Sequence, residues 1–140
     1  MKVCFTKRLG VVLILVFAIA LCGCGKTVTL KDWLDTEEFE ALVAEIKEEA
    51  KAFGSADVYV EGNTLFYKFY YSSNTVFDMS DLKVKAQVLA YFDEQMESYQ
   101  SDASNEIATI EKKTRLDDVA IVYEFYNGDG TLMYTKTFTE

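Results

Sequence analysis

The sequence predicts an α+β domain: a two-layer sandwich in helix-hairpin-helix-hairpin order, with a four-stranded antiparallel sheet and two helices on one face. Three observations predict it. Two stretches alternate apolar and polar residues on either side of a short Gly-containing turn, as β-hairpins do. Two others carry apolar residues at helical spacing. The two kinds alternate along the chain, so adjacent hairpins can bury one sheet face under both helices.

The first helix opens at Leu34-Asp35-Thr36-Glu37-Glu38-Phe39. With Asp35 as N-cap, Glu38 falls at N3 and completes a capping box, and Leu34 can staple onto Phe39. Phe39, Leu42, Val43, Ile46, Ala50 and Phe53 then recur at helical spacing, and Gly54 is the expected stop. Residues 57–61 and 64–72 flank Gly62-Asn63, a two-residue turn that sets Glu61 opposite Thr64 and Val60 opposite Leu65. Val58, Val60, Leu65, Tyr67, Phe69 and Tyr71 then form the core face, and Tyr59, Glu61, Thr64, Phe66, Lys68 and Tyr70 the other.

Ser80 is the expected cap of a second helix over 81–113, with Leu82, Leu89, Phe92, Met96, Tyr99, Ala103, Ile107 and Ile110 on its apolar stripe. Such a helix spans roughly 50 Å, against about 30 Å for a nine-residue strand. It must overhang the sheet or break, and 101–105 (Ser-Asp-Ala-Ser-Asn) is the weakest stretch. The second hairpin, 118–126 and 131–139, closes through Asn127-Gly128-Asp129-Gly130. Pairing Tyr126 with Thr131 puts Ile121, Tyr123, Phe125, Leu132, Tyr134 and Phe138 on the core face and Met133 on the opposite one.

Residues 1–23 have the form of a lipoprotein signal peptide. Lys2, Lys7 and Arg8 precede an apolar run from Leu9 to Leu21, too short for a membrane span of about 20 residues. Leu21, Cys22 and Gly23 before Cys24 resemble the lipobox of bacterial lipoproteins, because Cys24 offers the thiol that takes a diacylglyceryl group and Gly23 leaves room for the peptidase. The expected organisation is a leader (1–23), a lipidated Cys24 with a polar tether (24–31) and one domain (32–140). The expected address is the extracytoplasmic side of the cell membrane, with the diacylglyceryl on Cys24 as membrane partner; two acyl chains give the stable hold that one does not.

The chain of 140 residues has a formal net charge of −9 and no His. Removing the leader takes away three basic residues and no acids, which leaves 11 basic and 23 acidic side chains and a net charge of −12. That balance excludes nucleic acid as a partner. The only cysteines are Cys4, Cys22 and Cys24, so the domain has no thiol. Thiolate nucleophiles, Ser-His-Asp triads and His- or Cys-based zinc sites are excluded, and no cofactor is expected.

Thr64-Leu65-Phe66-Tyr67 recurs as Thr131-Leu132-Met133-Tyr134, each at the start of a second hairpin strand, which favours a structural repeat. The element order is similar to that of the β-lactamase-inhibitor type of tandem helix-hairpin protein. Leu30-Lys31-Asp32-Trp33-Leu34, the Glu-rich first helix, Gly62-Asn63-Thr64-Leu65 and the run from Val122 to Thr131 together resemble a family of small lipoproteins from Firmicutes known only as a domain of unknown function. That resemblance implies no activity and no catalytic residue.

Candidate sites are few. Asn127-Gly128-Asp129-Gly130 suggests a calcium loop, but an EF-hand would need an acid where Phe125 stands and a Glu where Lys136 stands; turn chemistry explains it. Asp117-Asp118 reads as solvated surface. Trp33 either covers the core or lies among lipid headgroups, and the core is favoured. Tyr59, Phe66, Tyr70, Tyr126 and Met133 are expected on the sheet face away from the helices, as a binding face for a protein, peptide or envelope polymer. The function expected is therefore a non-catalytic binding module at the cell envelope. The alternatives are a small hydrolase or transferase using Ser, Asp, Glu or Lys, and a solute-binding lipoprotein.

Overall fold

A computed structural model describes residues 28–140. The leader and the lipobox residues Leu21, Cys22, Gly23 and Cys24 lie outside the described residues. The elements are α1 (Leu30–Leu34), α2 (Glu37–Ala50), β1 (Gly54–Glu61), β2 (Thr64–Tyr71), α3 (Leu82–Thr114), β3 (Ala120–Tyr126) and β4 (Leu132–Phe138). The strands form one sheet in the order β1-β2-β3-β4, with the helices packed on one face.

The fold begins two residues earlier than the sequence suggests. Leu30 and Lys31, expected in the tether, belong to α1, which Thr29 caps by accepting from the Asp32 N–H at 3.1 Å. Leu30, Trp33 and Leu34 are all buried, so Trp33 covers the core. Asp35 ends this short helix and is not free to start the next. The N-cap of α2 is Thr36, extended at φ −133° and ψ 152°, whose hydroxyl accepts from the Phe39 N–H at 3.2 Å. The capping box through Glu38 therefore does not form. Nor is Gly54 a helix stop. It is the first residue of β1, where a Cβ would overlap the Tyr70 carbonyl oxygen, so the position requires glycine for close backbone approach.

The first hairpin has the expected register: Glu61 faces Thr64 and Val60 faces Leu65 around Gly62, which sits at φ +59°. Leu65, Tyr67, Phe69 and Tyr71 are buried, as the alternation requires.

The sheet is mixed, not antiparallel. β2 and β3 pair in parallel, with Thr64 beside Ala120 and Tyr70 beside Tyr126. The cause is α3, which carries the chain from the end of β2 back along the sheet, so that β3 starts level with the start of β2. A helical crossover of this kind joins parallel neighbours. α3 is continuous across 101–105. Tyr99, Ala103 and Ile107 stay buried through that stretch, and packing of the apolar face outweighs the low propensity of the polar one. Asp81, not Ser80, caps the helix, accepting from the Lys83 and Val84 N–H groups. The helix overhangs the sheet: its first buried residue is Phe92, and Leu82, expected on the stripe, is 82% exposed. Arg115 and Asp118, both at φ 59°, then turn the chain into β3.

The second hairpin departs from its expected register. Tyr126 faces Leu132, Phe125 faces Tyr134, and Met133 is the extra residue of a bulge. Met133 turns inward and is 6% exposed, while Leu132 turns outward and is 51% exposed. The expected places of these two residues are thus exchanged. The word shared by 64–67 and 131–134 does not carry a shared environment, since Leu65 is buried and Leu132 is not.

Asn127 ties this hairpin to the loop before α3. Its Oδ1 accepts from the Phe77 N–H at 2.9 Å and its Nδ2 donates to the Phe77 carbonyl at 2.8 Å, all in a buried position. Truncation would strand two backbone groups of Phe77. Asn127→Ala is expected to lower stability by about 2–3 kcal/mol, measured as a lower urea midpoint with an unchanged slope.

Candidate functional site: the outer face of the sheet

The parallel register decides which side chains meet. Phe66-Tyr67-Lys68-Phe69-Tyr70 of β2 lies beside Val122-Tyr123-Glu124-Phe125-Tyr126 of β3, residue for residue. On the inner face, Tyr67 stacks on Tyr123 at 4.8 Å between centroids and Phe69 on Phe125 at 5.1 Å. On the outer face Tyr70 stacks on Tyr126 at 4.9 Å, and across the first hairpin Tyr59 stacks on Phe66 at 5.1 Å.

Between these two aromatic pairs lies one ion pair. Lys68 Nζ is 3.1 Å from Glu124 Oε2, and the two side chains are only 21% and 17% exposed. The ammonium also lies 5.3, 5.7 and 5.9 Å from the ring centroids of Tyr59, Phe66 and Tyr126, within cation–π reach of each. Its hydrogen bonds to Tyr59 and Glu124 hold Lys68 well above the ordinary lysine range. The same carboxylate oxygen accepts from the Tyr126 phenol at 2.7 Å, and that bond, with burial, raises Tyr126. Three rows cross all four strands on this face: Tyr59, Phe66, Val122 and Thr137; Asp57, Lys68, Glu124 and Thr135; Ser55, Tyr70, Tyr126 and Leu132; a fourth, Glu61, Thr64 and Ala120, crosses the first three.

Four of the five residues expected here, Tyr59, Phe66, Tyr70 and Tyr126, are brought together on this face. Met133 is not; it is part of the core, and Leu132 stands where it was expected. The central role of Lys68 and Glu124 was missed. The recurrence of Tyr-Lys-Phe-Tyr (67–70) as Tyr-Glu-Phe-Tyr (123–126) carries the signal for it, once the strands are taken as parallel.

The other candidates resolve simply. Asp129 accepts from the backbone N–H and hydroxyl of Thr131, bonds that lower its pKa and close the turn. Asp117 and Asp118 are exposed on the turn into β3. Among the described residues, no group of three His, Cys, Asp or Glu is placed to hold a metal ion, and no helix is long and apolar enough to cross a membrane. A cleft of about 20 Å³ between α3 and the sheet is lined by Phe53, Tyr71, Phe92, Met96 and other largely apolar groups, and has room for little more than a water.

One half-buried acid stands apart. Partial burial of Glu106, on α3, pushes its pKa up to about 7; Tyr67 and Tyr123 are raised by their own burial first, with the Glu106 charge adding to it. The Tyr123 hydroxyl is buried without a hydrogen-bond partner. Sequence patterning does not reveal this group, because Glu106 reads as one more acid on an acidic helix.

The fold and face define a class: a two-layer α+β domain whose mixed sheet is covered by helices on one side and presents aromatic rows on the other. Residues 30–138 match the family described as Domain of unknown function (DUF4854), and the chain belongs to that family. No curated protein and no solved structure shows significant similarity to it.

The Glu106 shift has a sign. Between its ordinary value of 4.5 and about 7, the folded domain keeps a proton that the unfolded chain has released. Stability from this group is therefore full below the lower value and is lost as pH rises through 7, by at most about 3 kcal/mol. The urea midpoint is expected to fall between pH 5 and pH 8, and Glu106→Gln is expected to flatten that dependence.

Proposed function

We propose that this chain is a small lipoprotein of the Firmicutes type, held on the extracytoplasmic side of the cell membrane through a diacylglyceryl group on Cys24, and that it is a non-catalytic interaction module docking a partner on the outer face of its sheet. The observation that carries the docking part is the gathering of Tyr59, Phe66, Tyr70 and Tyr126 around the Lys68–Glu124 pair. Aromatic side chains at the centre of a surface, with a few oriented polar groups, are the usual anchors of binding. Phe66, Tyr70 and Tyr126 are half-buried and Tyr59 is stacked on Phe66, so these rings are already ordered and lose little freedom on docking. The leader and Leu21-Cys22-Gly23-Cys24 support the anchoring part. With a net charge of −12 after the leader, the domain gains no electrostatic hold on anionic lipid, so the acyl chains must supply it.

Cys24→Ala is expected to leave the chain unprocessed or released into the medium, and to abolish incorporation of labelled fatty acid; a variant still labelled would overturn the anchor. Phe66→Thr with Tyr70→Thr is expected to leave the fold intact by circular dichroism and to lose at least about 10-fold in capture of the partner on crosslinked cells. Undiminished capture would overturn the docking face.

A further inference from the structure

We propose that the outer face is self-complementary and that its occupant is a second copy of this chain, related by a two-fold axis running along the strands between β2 and β3. The inference rests on reading this face as the docking surface, and it names the partner. Rotation about that axis lays β2 of one copy over β3 of the other and leaves each row opposite itself. Lys68 then faces the second copy's Glu124, and Glu124 its Lys68. Phe66 meets Val122, and Tyr70 meets Tyr126. Every contact occurs twice, as an isologous interface demands.

The charged row selects this axis. The alternative two-fold, across the strands at the level of that row, sets Lys68 on Lys68 and Glu124 on Glu124. Like charges brought together at the centre of an interface disfavour that arrangement strongly. Aligned packing of two sheets is a common geometry, and the axis along the strands produces it. The face also carries Asp57 and Glu61, but the axis sets Asp57 opposite Thr135 of the second copy rather than another acid; most of the other acidic side chains lie on the helices, in the other layer. Four strands about 4.8 Å apart, three full rows about 6.7 Å apart and a fourth row over three strands give a face of roughly 500 Å², well short of the ~800 Å² per partner of a standard interface. The dimer is therefore weak, and specificity comes from the central charges rather than from area.

The test uses the full chain, leader included, expressed in two differently tagged forms in the same cells, with one tag captured and the other read. Wild type is expected to capture wild type. Lys68→Glu paired with itself, and Glu124→Lys paired with itself, are each expected to lose about 10-fold or more. Lys68→Glu co-expressed with Glu124→Lys is expected to recover capture, because opposite charges again face across the axis. The double variant K68E/E124K, which keeps the pair within each copy, is expected to capture itself as wild type does. Recovery in the mixed pair shows that the single variants fold. Failure of wild type to capture itself, or of the mixed pair to recover, overturns the inference. If wild type does not self-capture while Phe66→Thr with Tyr70→Thr still loses another envelope component, the face docks a different partner and only the inference falls. If those substitutions change nothing, the docking reading falls as well.

Discussion

The parallel register of β2 against β3 is the constraint on which the rest depends. It places Tyr67 beside Tyr123, Lys68 beside Glu124, Phe69 beside Phe125 and Tyr70 beside Tyr126, so that like rings stack and opposite charges meet. A slip of one residue would send every one of these side chains to the other face. A slip of two would keep the faces but break the ion pair and part Tyr70 from Tyr126, setting Lys68 against Val122 or Tyr126. The ladder thus fixes its own register from both sides of the sheet. It also joins hairpins that α3 holds far apart in sequence, and the contacts on either side of it are local ones.

Much of this was legible. Both hairpins, the core face of β2 and four outer-face aromatics follow from period-two alternation around glycine turns. The antiparallel assignment failed because alternation reports which face a residue takes and says nothing about strand direction. Direction is set by the connection, and a helix spanning some 50 Å is long enough to return the chain to the starting end of the sheet. Met133 was misplaced for a different reason. A bulge adds one residue to one strand and reverses the alternation beyond it, and nothing in Thr131-Leu132-Met133-Tyr134 distinguishes a bulged strand from a regular one.

Caps failed for a third reason, competition between neighbours. Asp35 and Thr36 can both start a helix, and so can Ser80 and Asp81. In each case the residue nearer the helix won. Asp35 is taken up in ending α1, and Ser80 in an Asx-type turn, where its N–H and hydroxyl both point at Asp78. α1 itself escaped notice because five residues show too little periodicity to register, although Leu30, Trp33 and Leu34 are all buried in the core.

The Lys68–Glu124 pair is the feature least explained by folding alone. Desolvating two charges costs more than their attraction returns unless each finds further partners. Here each does: the ammonium lies among three rings, and the carboxylate oxygen that meets it also accepts from Tyr126. Two apolar residues at the same positions would hold the strands together as well, and would leave a greasy surface open to any apolar partner. A charged row between aromatic rows keeps the apolar area while imposing an orientation on whatever covers it. Arrangements that bring Lys68 to an anion and Glu124 to a cation are favoured, and all others leave a half-buried charge opposed or unmatched. The same pair that sets the register within the sheet is therefore suited to set it between molecules.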